Sequence, residues 1–248
     1  MGLLYVDTIE PQSGTALTVG ESGQNTVLPG NDLRANVLQD AGGNAIFTSD
    51  GSGNISGLNS GFGSAMVLLQ TQTASSSANI AFTSPGFTST YDEYMFKFYN
   101  VQPATDGTDL TFQVSQDGGS TYGRNMVSAT TVGYINEAGT SHNLYYETTT
   151  DLPTGGSGAG QTNYQMIATN TGNDADQACN GTLIITVPSK TDRFKPWWSN
   201  MLNAENANHM QELIFSGIVY QTAAINAIDF KFRSGNIATG TIKMWGIK

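Results

Sequence analysis

A chain of 248 residues with 29 glycines, 12% charged residues and many Thr, Ser and Asn suits short strands joined by turns and excludes a helical bundle, which draws on Ala, Leu, Glu and Lys. Its formal net charge of −10, with no Lys/Arg run, excludes unaided nucleic-acid binding and electrostatic docking on anionic lipid, because both need clustered cations. The single cysteine, Cys179, excludes an internal disulfide framework, and no apolar run approaches the roughly 20 residues that would insert across a membrane.

Residues 1–63 form a distinct head. Its N-terminus, Met1 to Asp7, lacks a basic stretch followed by an apolar one, so no secretory signal is expected. The expectation is a chain made in a cytoplasm and soluble there. Tyr5 and Phe47 are the only aromatic residues before Phe62. Apolar pieces at Leu4–Ile9, Ala16–Val19, Asn36–Leu38 and Ala45–Phe47 are separated by Gly/Ser/Asn/Asp clusters. Such a segment buries too little to offset its own chain entropy. It is therefore either disordered or ordered by pairing with other chains. Asp40–Phe47 and Asp50–Ile55 each read as an Asp/Gly-rich turn, then Asn, then apolar residues. That repeated grammar favours the second outcome and predicts successive tight hairpins. Gly57–Gly63 is the expected hinge to the body, residues 64–248.

In the body, Met66–Thr73 reads as a strand, Ser75–Ser77 as a turn and Asn79–Phe82 as the start of a return strand. Tyr94–Val101 carries the strongest mid-chain signal, with Tyr94, Phe96 and Phe98 on one face. Leu110–Ser115 alternates strictly, and Asp117–Ser120 is turn chemistry, most simply a hairpin. Tyr134–Ile135 and Leu144–Tyr146 are short strands, and Leu152–Gly160 is a long loop. Tyr164–Ala168 and Thr182–Val187 are strands split by the polar loop Asn170–Asn180, and Phe194–Trp198 and Leu213–Tyr220 follow. Ser199–Gln211, with Met201, Leu202 and Ala204, is the one stretch where a short helix competes. Near the end, Ile228, Phe230 and Phe232 alternate with Asp229, Lys231 and Arg233, the pattern of a half-buried strand with one apolar and one charged face. Ser234-Gly235-Asn236 is a turn, and a last strand runs to the C-terminus. Roughly ten body strands with frequent turns predict an all-β fold, an antiparallel sandwich of jelly-roll type.

Three stretches resemble tail-fibre and appendage proteins of tailed, marine-type bacteriophages. In the head these are Val6-Asp7-Thr8-Ile9, Ser13-Gly14-Thr15, Leu17-Thr18-Val19-Gly20, Gly43-Asn44 and Asp50-Gly51-Ser52-Gly53-Asn54. In the middle it is the block from Tyr91-Asp92 and Tyr94 to the turn ending at Tyr122. At the end they are Phe230, Phe232, Ser234-Gly235-Asn236-Ile237, Gly240-Thr241-Ile242 and Trp245-Gly246-Ile247. The resemblance implies a virion structural protein that trimerises through its head and attaches there to other tail or capsid proteins. The distal body would then bind the host surface, a glycan or a protein, during adsorption, with three weak sites gaining strength through avidity.

Catalytic signals are sparse. His142 and His209 sit in no ligand spacing, and no nucleophile elbow or phosphate loop occurs. Cys179 has no His or basic pair nearby in sequence. A small polysaccharide-degrading enzyme would need two carboxylates across a groove. Asp92 with Glu93, or Glu137 with Glu147, are the pairs available, and neighbours in a strand point to opposite faces. Asp174 and Asp176 offer oxygen ligands of the kind Ca²⁺ takes, without the spacing of an EF-hand. The expectation is a protein that is not an enzyme and needs no cofactor or metal. Binding is better supported, because aromatic rings stack on sugar faces and amides bond hydroxyls. The candidates are Tyr122, Tyr145, Tyr146, Trp197 and Trp198, with Asn163 and Gln165 as polar partners. Alternation turns one of Trp197/Trp198, and one of Tyr145/Tyr146, inward. An exposed apolar patch would instead favour a capsid-decorating or tail-tip protein that binds other virion proteins.

Overall fold

The computed structural model describes residues 37–39, 44–49, 52, 55–58, 65–83, 86–150 and 164–248, which contain strands and no helix. The apolar pieces Leu4–Ile9 and Ala16–Val19, the loop Leu152–Gly160 and Asn163 lie outside the described residues. The chain divides into two compact units, Met1–Gly63 and Ser64–Lys248. In the first, β1 (Val37–Gln39), β2 (Ala45–Ser49) and β3 (Ile55–Leu58) form a three-stranded antiparallel meander. Successive antiparallel neighbours are what the two Asp/Gly-rich turns predict.

The second unit holds twelve strands among the described residues: β4 (Met66–Ser77), β5 (Ile80–Phe82), β6 (Glu93–Pro103), β7 (Thr108–Ser115), β8 (Met126–Asn136), β9 (His142–Tyr146), β10 (Gln165–Thr171), β11 (Cys179–Thr186), β12 (Lys195–Ala204), β13 (His209–Val219), β14 (Ala227–Phe232) and β15 (Ile237–Ile247). They make an eight-stranded sheet, β4-β15-β6-β11-β12-β13-β8-β9, and a four-stranded sheet, β10-β7-β14-β5, with every pairing antiparallel. Two consecutive hairpins, β8–β9 and β12–β13, occupy one end of the large sheet. Leaving them out and counting the other strands from one to eight, the sheets read 1-8-3-6 and 2-7-4-5. That is the wiring of a jelly roll, two Greek keys folded into one sandwich. The two hairpins are insertions that widen one sheet only.

The sheets meet through aromatic side chains. Phe230, in the middle of the small sheet, lies 5.3 Å from Phe96 and 5.1 Å from Phe98 of the large sheet, ring centre to ring centre. Phe82 meets Phe96 at 5.4 Å, and Phe112 meets Trp197 edge-on at 4.9 Å. All six side chains are buried. The inward face of β6 holds Tyr94, Phe96 and Phe98, as alternation predicts, and then breaks phase. Asn100 takes φ 48°, so Val101 also turns inward. Opposite it Gly240 takes φ 123°, and a Cβ there would strike the backbone of Val101. Cys179, on β11, is fully buried, and its thiol donates to the Val101 carbonyl at 3.2 Å.

Several local expectations are corrected. Ser75–Ser77 is part of β4, and β5 does not return beside it but joins the other sheet. Asp117–Ser120 is not a hairpin turn, because β7 and β8 belong to different sheets. Ser234-Gly235-Asn236 turns as expected, with Gly235 at φ 73°, and carries the chain from β14 to β15 in the other sheet. Ser199–Gln211 contains no helix: it forms the end of β12, a turn, and the start of β13. Met201 is buried and Leu202 exposed, a period-two division that a helix could not satisfy. The face of β14 opposite Phe230 is not solvated either. Asp229 is buried, accepting from Asn79 Nδ2 at 2.6 Å and the Tyr164 hydroxyl at 2.8 Å, and burial holds its carboxyl above the ordinary range. Lys231 sits over the Tyr164 ring, and Arg233 pairs with Asp109 at 3.1 Å.

Replacing Phe230 with Ala removes the ring shared by both sheets and should cost about 3–5 kcal/mol, measured by urea unfolding. The turn after β7 supplies a pH test. Asp117 accepts from Ser115 Oγ, Thr121 N and Thr121 Oγ1 at 2.6, 2.9 and 2.5 Å, and these bonds, led by Ser115, hold its carboxyl well below the usual range. A depressed folded-state pKa adds stability above the unfolded value, near pH 4, which is lost as pH falls through the folded value. Asp117→Asn should therefore flatten the stability profile below about pH 4.

Candidate functional site

The five aromatic candidates do not gather. Trp197 is 1% exposed and belongs to the inter-sheet core. Tyr145 packs against that core and stands edge-on to Tyr134 at 6.2 Å, and its hydroxyl pKa is raised, by burial first and by Glu147 next. Tyr122 is half-buried in the connection between β7 and β8, with its hydroxyl under Gly119. Burial, then Asp229 and Asp117, push its pKa up to about 12. Gln165 is fully buried and donates to the carbonyls of Thr150 and Met166. Only Trp198 and Tyr146, 41% and 57% exposed, present rings to solvent.

These two side chains share the outer face of the large sheet. Strand register places Leu68, Trp245, Met95, Ile184, Trp198, Ser216 and Ala129 side by side across seven strands. The next row runs Lys243, Lys97, Thr182, Asn200, Ile214, Thr131 and Tyr146. Among the described residues of the second unit, eleven large apolar side chains are exposed. Nine lie on this face: Leu68, Tyr99, Trp198, Leu202, Met210 and Ile214, with Ile135, Leu144 and Tyr146 on the β8–β9 hairpin. The other two, Phe194 and Tyr220, pack ring against ring at 4.7 Å.

At one end of this face the inserted hairpins and the loop before β11 surround a cleft of about 630 Å³. Its walls come from the β8–β9 turn (Asn136, Glu137, Gly139), the β12–β13 turn (Glu205, Asn208) and the loop residues Asp176 and Gln177. Outward residues Asn100, Asn180, Leu202, Met210 and Ile135 also line it. The hairpin turn closes through Glu205 N to His209 O at 2.8 Å, with Asn208 at φ 58°. Buried Gln177 ties the loop to that turn, donating to Glu205 O and Asn208 Oδ1 and accepting from Asp174 N. A Cβ on Gly172 would overlap the Gln177 side chain, so this contact needs glycine. His209 Nδ1 lies 2.8 Å from Glu205 Oε2. The cleft thus offers amide groups that both donate and accept, carboxylates, and an apolar wall. That set suits a polyhydroxylated ligand.

Sequence reading missed this site. Its residues come from four separated stretches, and the only local signal was the density of Asn in Asn170–Asn180 and Asn203–Asn208. The carboxylate pairs considered for hydrolysis do not converge. Glu137 lines the cleft, whereas Glu147 lines a separate polar hollow with Asp109, Arg233 and Tyr145. The Asp92 amide and carbonyl bond to Ile247 and Val187 at the sheet end. Asp174 and Asp176 are exposed, and among the described residues no three His, Cys, Asp or Glu side chains are grouped to hold a metal. Burial pushes the Cys179 thiol up to about 12, opposite to what a nucleophile requires. Lys195 was also missed: it is fully buried, and its ammonium donates to the carbonyls of Arg193, Gln221 and Thr222 at 2.8, 3.0 and 2.6 Å. No described helix is long and apolar enough to cross a membrane.

The tandem tryptophans give a sharp test of this geometry. Trp197→Ala should destabilise the fold by about 3–5 kcal/mol, whereas Trp198→Ala should stay within about 0.5 kcal/mol in a single chain. Urea unfolding with matched slopes distinguishes them.

No protein-family model, curated protein or solved structure matches this chain.

Proposed function

We propose that this chain is a structural protein of a tailed-phage virion, a tail fibre or short appendage, that acts by binding and not by catalysis. Its head attaches it to the particle, and its jelly-roll body recognises a host-surface glycan in the amide-lined cleft. The observation that carries the glycan assignment is that cleft: Asn100, Asn136, Asn180 and Asn208 stand around an apolar wall of Leu202 and Met210. Sugars present hydroxyls that need two-way hydrogen bonding and apolar C–H faces that need contact, and the cleft has partners for both. The sequence resemblance at the head, the middle block and the C-terminus supports the virion assignment. A trimer joined through the head would present three such clefts together, so weak single-site affinity would suffice.

A second reading, a capsid-decorating or tail-tip protein, is favoured by the apolar outer face, on which nine exposed large apolar side chains share one sheet surface.

Isothermal titration of the full chain with a panel of neutral and acidic bacterial surface oligosaccharides tests the first reading. Binding by at least one member is expected, weakened about tenfold or more by Glu137→Ala combined with Met210→Ala. A panel with no binder, or a binder indifferent to both substitutions, would count against the cleft.

A further inference from the structure

We propose that the outer face of the eight-stranded sheet is a self-association surface, covered by a second copy of this chain. The inference goes beyond the glycan reading and does not depend on the cleft. It stands on composition, charge and area taken together.

The face is apolar where a surface is ordinarily polar. Trp198 and Ile214 sit near its middle, 41% and 45% exposed, with Pro196, Ile218 and Val127 in the next row. Aromatic and aliphatic side chains free of charge are what the centre of a protein interface uses.

Charge points to a copy of the same chain. The chain carries a net −10, so most faces of two copies would repel. Across the four central rows of this face the ionic side chains are Glu93, Glu212, Lys97 and Lys243, which sum to zero. Lys97 and Lys243 stand directly opposite each other on β6 and β15, an arrangement that is unfavourable without an anion nearby. No ion pair of either lysine occurs among the described residues. A second copy brings its own Glu93 and Glu212 to the same contact.

The area suffices. Eight strands each about 4.8 Å wide span about 38 Å, and four rows each about 6.8 Å deep cover about 27 Å, a footprint on the order of 1,000 Å². Stable interfaces bury about 800 Å² per partner. The contact centres on the Trp198 and Ile214 rows and leaves the cleft at its rim.

Sedimentation velocity of the full chain at tens of micromolar, with hydroxyl-radical footprinting of the same samples, tests the proposal. The expected result is an assembly in which Trp198 and Tyr146 react several-fold more slowly than their single-chain exposure implies. Phe194 and Tyr220, of comparable exposure but off this face, should react at their ordinary rates. In Trp198→Glu with Ile214→Glu, the assembly should dissociate. If the head holds it together, Tyr146 should become reactive instead. Ser216→Arg, a single charge on the same face, provides the check if the double variant does not fold. A monomeric wild-type chain, or an assembly in which Trp198 and Tyr146 react as freely as in one chain, would overturn the proposal.

Discussion

Contact between the two sheets across Phe230 is the constraint from which the rest of the molecule follows. Its ring touches Phe96 and Phe98 on the far sheet and neighbours Phe82 and Phe112 on its own. A four-stranded sheet has room to cover only about four strands of its partner at native packing distance. The large sheet has eight. The inward side chains of β12, β13 and β8 are mixed, with Trp197, Met201, Leu213, Phe215, Met126 and Val132 beside buried Ser199, Asn203, Gln211, Ser128 and Thr130. Hydrogen bonds such as Asn203 to Gln211 join part of this polar interior.

The two inserted hairpins thus generate both surfaces of interest. Their turns, 136–141 and 205–208, build the walls of the cleft. Their strands extend a face whose outward side chains include Trp198, Ile214 and Tyr146, exposed among the described residues. A jelly roll without these insertions would keep the rings around Phe230 but lose Trp197 and Phe215 from the core, along with the cleft and half of the face. In the proposed reading, binding is a property of the insertions, whose inward side chains also extend the core.

The division between what the sequence discloses and what it conceals follows physical lines. Period-two alternation made β6, β7 and the C-terminal strands legible, because burial on one side imposes that pattern directly. It did not disclose which sheet a strand joins. A Gly/Asn/Ser turn looks the same whether it closes a hairpin, as after β8, or carries the chain across the sandwich, as after β7 and β14. The phase of the tandem Trp197-Trp198 was equally hidden, since it depends on register with β11 and β13. Asp229 was read as solvated because charged side chains ordinarily are, and nothing in the sequence marked Lys195 as buried. Each depends on partners far away in sequence: Asn79 and Tyr164 for one, the carbonyls of Gln221 and Thr222, beside that of Arg193, for the other. The cleft was illegible for the same reason, as it is assembled from loops that sequence alone does not bring together.

The buried position of Cys179 has a practical side. Its thiol lies on β11 between β6 and β12, sealed from solvent and held in its protonated form. Alkylating reagents need a thiolate they can reach, so the native chain is silent to them until those central strands separate. The rate of labelling then reports the opening of the sandwich itself, with no engineered probe. A cysteine introduced at the surface can be derivatised alone, without first removing the native one.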